Sequence, residues 1–209
     1  MSIVPSDAGL VLLQADSYAA MPQGQVVDAG PDRAVIRRYP GCIVVTIRGT
    51  ANQPGWWSDF QILPKVMRTH PTLGDCESGF LAGTEALFTV LNPLIGTDPP
   101  TPLIVQGHSR GAAIAPMLAV LLGASRCVCW EKPWGNGKQC RAMIEASGMT
   151  GVEYWHGDDP VPLAPAVSWL VMANFGIKHF GHWTLNPFDS HGIAGIVADV
   201  QAGAIGLQT

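Results

Sequence analysis

The stretch LIVQGHSRGAAIA, residues 103–115, decides the fold of this chain. An apolar run stops at Gly107, a short polar segment follows, and a second run of small apolar residues begins after Gly111. A short apolar run followed by a sharp turn and a longer apolar run indicates a buried strand that leads directly into a buried helix. The turn itself, Gly-His-Ser-Arg-Gly, fits the pattern Gly-x-Ser-x-Gly.

Ser109 lies at the centre of this turn, and two interpretations of it are open. A serine at a tight strand-to-helix turn has its Oγ exposed above the sheet, where the N-terminus of the next helix favours developing negative charge. Alternatively, the turn is only glycine-rich and the serine caps the helix. The chain has 24 glycines, so the pattern alone is weak evidence. The apolar strand before it and the helix after it favour a nucleophile.

Composition restricts the class of protein. The chain has 209 residues, of which 47% are hydrophobic and 13% charged, and its net charge is -4. These values predict one domain over residues 1–209 with a substantial core. The 12 lysines and arginines form no basic run, which argues against nucleic acid as a partner.

The first residues, MSIVPSDAGLVLL, lack the basic region of a secretory signal. We therefore expect a cytoplasmic protein, while export by a dedicated system stays open. The longest apolar run, residues 112–124, is too short to cross a bilayer, so no transmembrane segment is predicted.

The five cysteines are odd in number and scattered, which predicts free thiols. Cys127 and Cys129 are two residues apart, and Cys140 follows without a close partner. A structural zinc site needs four ligands at short paired spacings, so no metal is expected.

The remaining segments alternate between strand and helix patterns. Residues 25–49 predict three successive strands, residues 77–95 a helix, and residues 103–106 a strand. Then follow a helix over 110–122, a strand over 126–130, a helix over 137–148 and a strand over 151–156. This alternation predicts an α/β fold with a parallel sheet covered by helices on both faces.

Six stretches of the chain resemble motifs of one family in the family's order. They are VVTIRGT (44–50), WWSDF (56–60), SGF (78–80), GHSRGAAIA (107–115), EKPWGN (131–136) and DDPVPLAP (158–165). On these motifs the chain resembles the class 3 lipases, a group of α/β-hydrolases. The resemblance implies an α/β-hydrolase fold with a mostly parallel central sheet. Two residues depart from the family pattern: Arg110 replaces a leucine, and Glu77 replaces a histidine.

A serine nucleophile needs a base, and the base needs an orienting acid. In this fold class the chain order is Ser, Asp, His. The resemblance assigns the acid to Asp159, directly before Pro-Val-Pro, with its neighbour Asp158 as the alternative. It assigns the base to His191 in FDSHGI, with His182 as the main alternative.

The resemblance also implies an oxyanion hole, formed by Thr50 and by the backbone N–H of Arg110. Thr50 could instead simply end a strand. Trp56 and Trp57 follow, at the position of the family's lid over the substrate; two adjacent tryptophans could equally be core residues.

The sequence thus predicts a serine carboxylester hydrolase, a lipase or esterase that forms an acyl-enzyme through Ser109, Asp159 and His191. It needs no metal and no cofactor. Its partner would be a small-molecule or lipid ester, with possible contact to a lipid surface. The alternatives are an acyltransferase, a depolymerase of a polyester or cell-envelope ester, and an inactive hydrolase-like binding module.

Overall fold

The computed structural model describes residues 4–50, 66–96, 102–163, 170–171, 173–181 and 190–203. Helices in this part of the chain are α1 (Asp7–Asp16), α2 (Ser78–Ile95), α3 (Arg110–Leu121), α4 (Lys138–Ala146) and α5 (Ile193–Gln201). Strands are β1 (Gln25–Ala29), β2 (Asp32–Tyr39), β3 (Cys42–Ile47), β4 (Met67–His70), β5 (Gly74–Glu77), β6 (Leu103–His108), β7 (Arg126–Trp130), β8 (Asn136–Gly137), β9 (Thr150–His156), β10 (Leu170–Val171) and β11 (Gly176–Phe180).

Seven strands form the central sheet, in the order β1-β2-β3-β6-β7-β9-β11. Strands β1, β2 and β3 are joined by tight turns and pair antiparallel. From β3 to β11 every neighbouring pair is parallel. The predicted mostly parallel sheet is confirmed, and β6 lies in its middle, where all six of its residues are buried.

Helices cover both faces of this sheet, as the alternation of segments predicted. Successive residues of a strand point to opposite faces, so Val44 and Val45 of β3 belong to different core clusters. The cluster containing Val45 includes apolar residues of α2, α3 and α4. The other includes Leu10 of α1 and Ile196 of α5. The chain therefore buries β6 between two helical layers.

A second sheet was not predicted. It has the order β10-β8-β5-β4, its strands are antiparallel, and none is longer than four residues. Strands of two to four residues are too short to show the alternating pattern by which a strand is recognised.

The two departures from the family pattern both have structural partners. The guanidinium of Arg110 donates to both oxygens of Asp32, at 2.8 and 3.0 Å, and also to the Gly79 carbonyl. Glu77 is the N-cap of α2, and its carboxylate accepts a hydrogen bond from the backbone N–H of Phe80 at 2.9 Å. Both residues thus fix the ends of helices that cover the sheet.

All five cysteines are buried free thiols, and the Sγ atoms of Cys127 and Cys129 lie 3.8 Å apart on the same face of β7. Among the helices described above, none combines the length and the hydrophobicity needed to cross a membrane.

The Arg110→Leu variant should lower the free energy of unfolding by about 3 kcal/mol, because it leaves a buried Asp32 carboxylate, 3% exposed, without its partner. Arg33→Leu is the matched control: its partner Asp28 is 57% exposed, so its loss should cost less than about 1 kcal/mol. Urea unfolding of both variants measures the difference. Equal losses of unfolding free energy would show that the buried Arg110–Asp32 pair stabilises the fold no more than the exposed Arg33–Asp28 pair does.

Candidate active site

Four neighbouring parallel strands end at one edge of the central sheet, and the predicted site residues follow these ends. Ile47 of β3 is paired with Gly107 of β6, and His108 of β6 with Trp130 of β7. Since carboxyl ends of parallel strands meet at the same edge, Thr50, Ser109 and Asp159 are brought to one side of the molecule.

Ser109 occupies the turn between β6 and α3 in a strained conformation. Its backbone angles are φ 55° and ψ -124°, outside the regions that non-glycine residues favour. The glycines on either side permit this turn. A Cβ at Gly107 would lie 2.2 Å from the Gly111 carbonyl oxygen, and one at Gly111 would lie 2.4 Å from the Ile47 carbonyl oxygen. Only glycine lets the three backbone segments approach so closely.

The Ser109 side chain makes no capping hydrogen bond to α3, unlike Ser6, whose Oγ accepts from Gly9 at the start of α1. Ser109 thus occupies the N-cap position of α3 without a capping side-chain hydrogen bond, which argues against its interpretation as a helix cap. Arg110 is the first residue of α3, so its N–H belongs to the first turn, whose N–H groups have no intrahelical acceptor. The positive end of the α3 dipole thus lies beside Ser109.

Asp159 and His191 form a buried hydrogen-bonded pair. The distance from His191 Nδ1 to Asp159 Oδ2 is 2.6 Å, and the two side chains are 3% and 1% exposed. A carboxylate only accepts, so the proton is on Nδ1 and the neutral ring has its lone pair on Nε2. Burial acts against the Asp159 carboxylate, but the hydrogen bonds from His191 and Glu131 outweigh it and lower its pKa below the ordinary value.

The neighbouring acid, Asp158, has a different partner. Its Oδ1 accepts a hydrogen bond from Ser190 Oγ at 2.7 Å. The two adjacent aspartates therefore bind adjacent residues of the segment before α5: Asp158 fixes Ser190, and Asp159 contacts the imidazole of His191.

Two further histidines hold this segment by its backbone. His156 Nδ1 donates to the Ser190 carbonyl at 2.7 Å, and its Nε2 pairs with Asp199 of α5 at 2.8 Å. His108 Nε2 donates to the carbonyl of His191 at 2.9 Å. The backbone carbonyls before and after the His191 Cα atom are thus both held by hydrogen bonds, which fixes the position of its ring.

Tyr18, just after α1, completes a hydrogen-bond chain that the sequence did not predict. Gly49 N–H donates to the Tyr18 hydroxyl at 2.9 Å, and the hydroxyl donates to His108 Nδ1 at 2.7 Å. Burial, followed by the electrostatic interaction with the neighbouring His191, lowers the pKa of His108 to about 3, so its ring is neutral. This chain links the Gly49–Thr50 segment, the turn at Ser109 and the backbone of His191.

The other predicted residues have varied positions. Thr50 is exposed and follows Gly49, at which a Cβ would lie 3.1 Å from Ser109 Cβ. Trp56, Trp57 and the alternative base His182 lie outside the described residues. A third histidine that follows Asp159 in the chain, His179, is on β11, where its ring centroid lies 5.0 Å from that of Trp155.

Glu131, directly after β7, is a second residue that was not predicted to be part of the site. It is fully buried. One side-chain oxygen or nitrogen atom from each of Glu131, Asp159 and His191 lies within 4.8 Å of the other two. Because His191 bonds Asp159 directly, a proton bridges that pair. The only sequence signal for Glu131 is an acidic residue at the end of a buried strand.

A comparison with protein families places most of the described site within one family. The sequence profile of the lipases of class 3 matches residues 44–169, which is more than half of the chain. That range includes Thr50, Ser109 and Asp159.

Curated relatives include a secreted mono- and diacylglycerol lipase of Fusarium solani, 28% identical over 145 residues. The match covers 66% of this chain and 41% of that protein. The secreted mono- and diacylglycerol lipase A of Penicillium cyclopium is 25% identical, with coverage of 69% and 48%. The chain thus spans less than half of the length of the curated relatives it matches.

These names contradict the cytoplasmic location expected from the sequence. The relatives are named as secreted proteins, which points to an extracellular location. The expectation was wrong because it rested on one feature, the basic region of a secretory signal, in the first residues.

Solved structures share the fold. A triacylglyceride lipase of Rhizomucor miehei gives a TM-score of 0.62 at 15% identity, covering 90% of this chain and 84% of that one. A lipase of Rhizopus microsporus var. chinensis gives 0.61 at 18% identity, covering 79% and 71%. At these identities the likeness concerns the fold alone: the chain has the α/β-hydrolase fold of these lipases.

Burial of His108 should make the protein sensitive to acid. The unfolded chain takes up a proton on this residue near pH 6.5, whereas the folded chain does so only near pH 3. Acidification below pH 6.5 therefore favours unfolding, by up to about 1.4 kcal/mol per pH unit. In His108→Asn this contribution is absent, so the loss of unfolding free energy between pH 7 and pH 4 should be smaller than in wild type.

Urea unfolding at several pH values measures this difference, with His179→Asn as the control, since His179 is exposed on β11. If the His108→Asn curve runs parallel to that of the wild type, the buried histidine does not cause the acid sensitivity.

Proposed function

The chain belongs to the class 3 lipase family, and on that premise we propose that it hydrolyses carboxylic esters of lipids through Ser109, His191 and Asp159. The observation that carries the proposal is the buried 2.6 Å bond between His191 and Asp159, at the same edge of the sheet as the strained turn at Ser109. Ser109, Asp159 and His191 follow one another in the chain order Ser, Asp, His that is typical of this fold class.

In the first half of the reaction, Ser109 Oγ attacks the ester carbonyl carbon while His191 Nε2 takes the hydroxyl proton. Asp159 holds the imidazole in the tautomer with its proton on Nδ1, and it stabilises the imidazolium that forms. The carbonyl oxygen becomes an oxyanion, which accepts hydrogen bonds from the Arg110 N–H and from Thr50. His191 then gives its proton to the alcohol oxygen, and the alcohol leaves.

In the second half, a water molecule attacks the acyl-enzyme. His191 removes a proton from this water, the oxyanion forms again in the same hole, and the acid leaves as Ser109 recovers its proton. Every step uses side chains and backbone groups of this chain. The neutral His108 holds the His191 carbonyl with one ring nitrogen and the Tyr18 hydroxyl with the other. The Tyr18 hydroxyl in turn accepts from the Gly49 N–H, so His108 keeps both segments in place throughout this cycle.

The substrate class follows from the relatives, which are named mono- and diacylglycerol lipases. We propose acylglycerols with one or two acyl chains as substrates, acted on outside the cell. Release of fatty acid from a monoacylglycerol and a diacylglycerol, compared with a p-nitrophenyl ester, tests this substrate class.

Ser109→Ala should retain the wild-type melting temperature and lose ester cleavage, by a factor on the order of 10⁶ in kcat, as is typical of serine hydrolases. Ser125→Ala is the control, because Ser125 precedes β7 at the opposite end of the parallel strands. Measurements of kcat on a p-nitrophenyl ester compare the two variants. Turnover close to wild type in Ser109→Ala would reject the nucleophile.

Asp159→Asn should lower kcat by about 10⁴-fold, because an amide NH₂ facing Nδ1 favours the wrong imidazole tautomer. Asp158→Asn should change kcat by less than about threefold, since its amide oxygen can still accept the hydrogen bond from Ser190 Oγ. The two substitutions are at adjacent residues and make the same chemical change, so each variant is the control for the other. A larger loss in Asp158→Asn would be incompatible with the assignment of the acid.

A further inference from the structure

Glu131 has two costly features that packing alone does not explain. Its φ is 53°, and in the described part of the chain Ser109 is the only other non-glycine residue with a positive φ. Its side chain is also completely buried. A left-handed backbone and a buried carboxyl are both unfavourable, and such costs persist where the surroundings fix the residue in place. Both strained residues directly follow neighbouring central strands, β6 and β7.

The contacts of Glu131 aim its carboxyl at the acid of the site. Its backbone N–H donates to the Tyr154 carbonyl at 3.0 Å, and its Oε1 accepts from the backbone N–H of His156. Its second oxygen, Oε2, receives no donor from the described residues. One oxygen of this carboxyl lies within 4.8 Å of an oxygen of Asp159, so the two buried carboxyl groups face each other. Two carboxylates cannot donate to each other, so a hydrogen bond between these groups requires a proton on one of them.

The distribution of donors decides which carboxyl holds this proton. Asp159 accepts from His191 Nδ1 at 2.6 Å and from the Val161 N–H at 2.9 Å, and both bonds favour its charged form. Among the described residues, Glu131 accepts from a single donor, the backbone N–H of His156. Burial, followed by the contact with Asp159, raises the pKa of Glu131 well above its ordinary value. These donors favour the charged form of Asp159 and the protonated form of Glu131, whose Oε2 has no other donor among the described residues.

We propose that Glu131 is a neutral carboxylic acid at working pH, and that it positions Asp159 by donating a hydrogen bond from Oε2–H to the Asp159 carboxylate. The inference rests on the proposed function, because it concerns the acid of the same site. Glu131 touches neither the substrate nor the reacting atoms; it is a positioning residue that acts through Asp159.

Other charged groups around the pair are already engaged. His156 bonds Asp199 and Ser190, Asp158 bonds Ser190, and the buried Lys132 lies 3.6 Å from Glu153. His108, whose ring centroid lies 4.9 Å from that of His191, is neutral. The protonation of the Glu131–Asp159 pair therefore determines the negative charge next to the imidazole of His191.

The first test detects the proton without any turnover. Infrared spectroscopy at neutral pH should find the C=O band of a protonated carboxylic acid in the wild type, and this band should be absent from Glu131→Gln. Glu77→Gln, which removes another buried glutamate but keeps an oxygen to cap α2, should retain it. An unchanged spectrum in Glu131→Gln would overturn the proposal.

The second test measures kcat/KM against pH. A glutamine is neutral and still offers an N–H donor, so the acid limb of the Glu131→Gln profile should coincide with that of the wild type. If Glu131 were instead ionised, its replacement would remove a negative charge near the base and move the limb to lower pH by about 1–3 units. Such a movement would overturn the proposal.

Glu131→Met removes the donor while filling a similar volume. It should lower kcat by on the order of tenfold to a hundredfold with little change in KM, because Asp159 loses its orientation. Glu131→Gln should keep kcat within about threefold of the wild type. Equal kcat in all three proteins would overturn the positioning role. Wild-type protein that has the infrared band but cleaves no ester would reject the proposed function instead, and if Glu131→Met does not fold, the glutamine variant still decides.

Discussion

The turn from β6 into α3 brings three backbone segments closer together than any side chain permits. Gly107 lies against Gly111, and Gly111 lies against the end of β3, with separations that a single Cβ would abolish. This contact forces Ser109 into its positive φ, and it brings the segment after β3 beside the serine. The position of the nucleophile, the start of α3 and the Gly49–Thr50 segment are therefore three results of one steric constraint.

The base is fixed by a polar network, in contrast to the serine. Ser190 and His191 are held by Asp158, Asp159, His156 and His108, which come from two different strand ends. Tyr18 connects this network to α1, which packs on the same face of the sheet as α5. In a buried site each of these bonds is strengthened by the low local dielectric, and an unpaired member would be costly. The arrangement explains how a histidine just before the C-terminal helix is held rigidly.

Much of the fold and the site could be predicted, because the signals are local. The glycines around Ser109 are within five residues, and the apolar runs of β6 and α3 are continuous. The choice between Asp158 and Asp159 came from a resemblance, since adjacent aspartates do not differ by pattern. Tyr18 is 90 residues from its partner His108, and hydrogen bonds across such separations leave no periodic trace in a sequence. Glu131 was not predicted as a site residue for a related reason. Its position after a strand is visible in the sequence, but its contact with Asp159 depends on the order of the strands in the sheet.

A covalent label tests the central claim, that Ser109 is the activated nucleophile of this site. The folded protein is incubated with a p-nitrophenyl phosphonate, and the modified residue is located by peptide mass spectrometry. The account predicts a single adduct, on Ser109, and none in protein that is unfolded before labelling, because activation depends on the turn and on His191. An adduct on a different serine, or equal labelling of folded and unfolded protein, would contradict it.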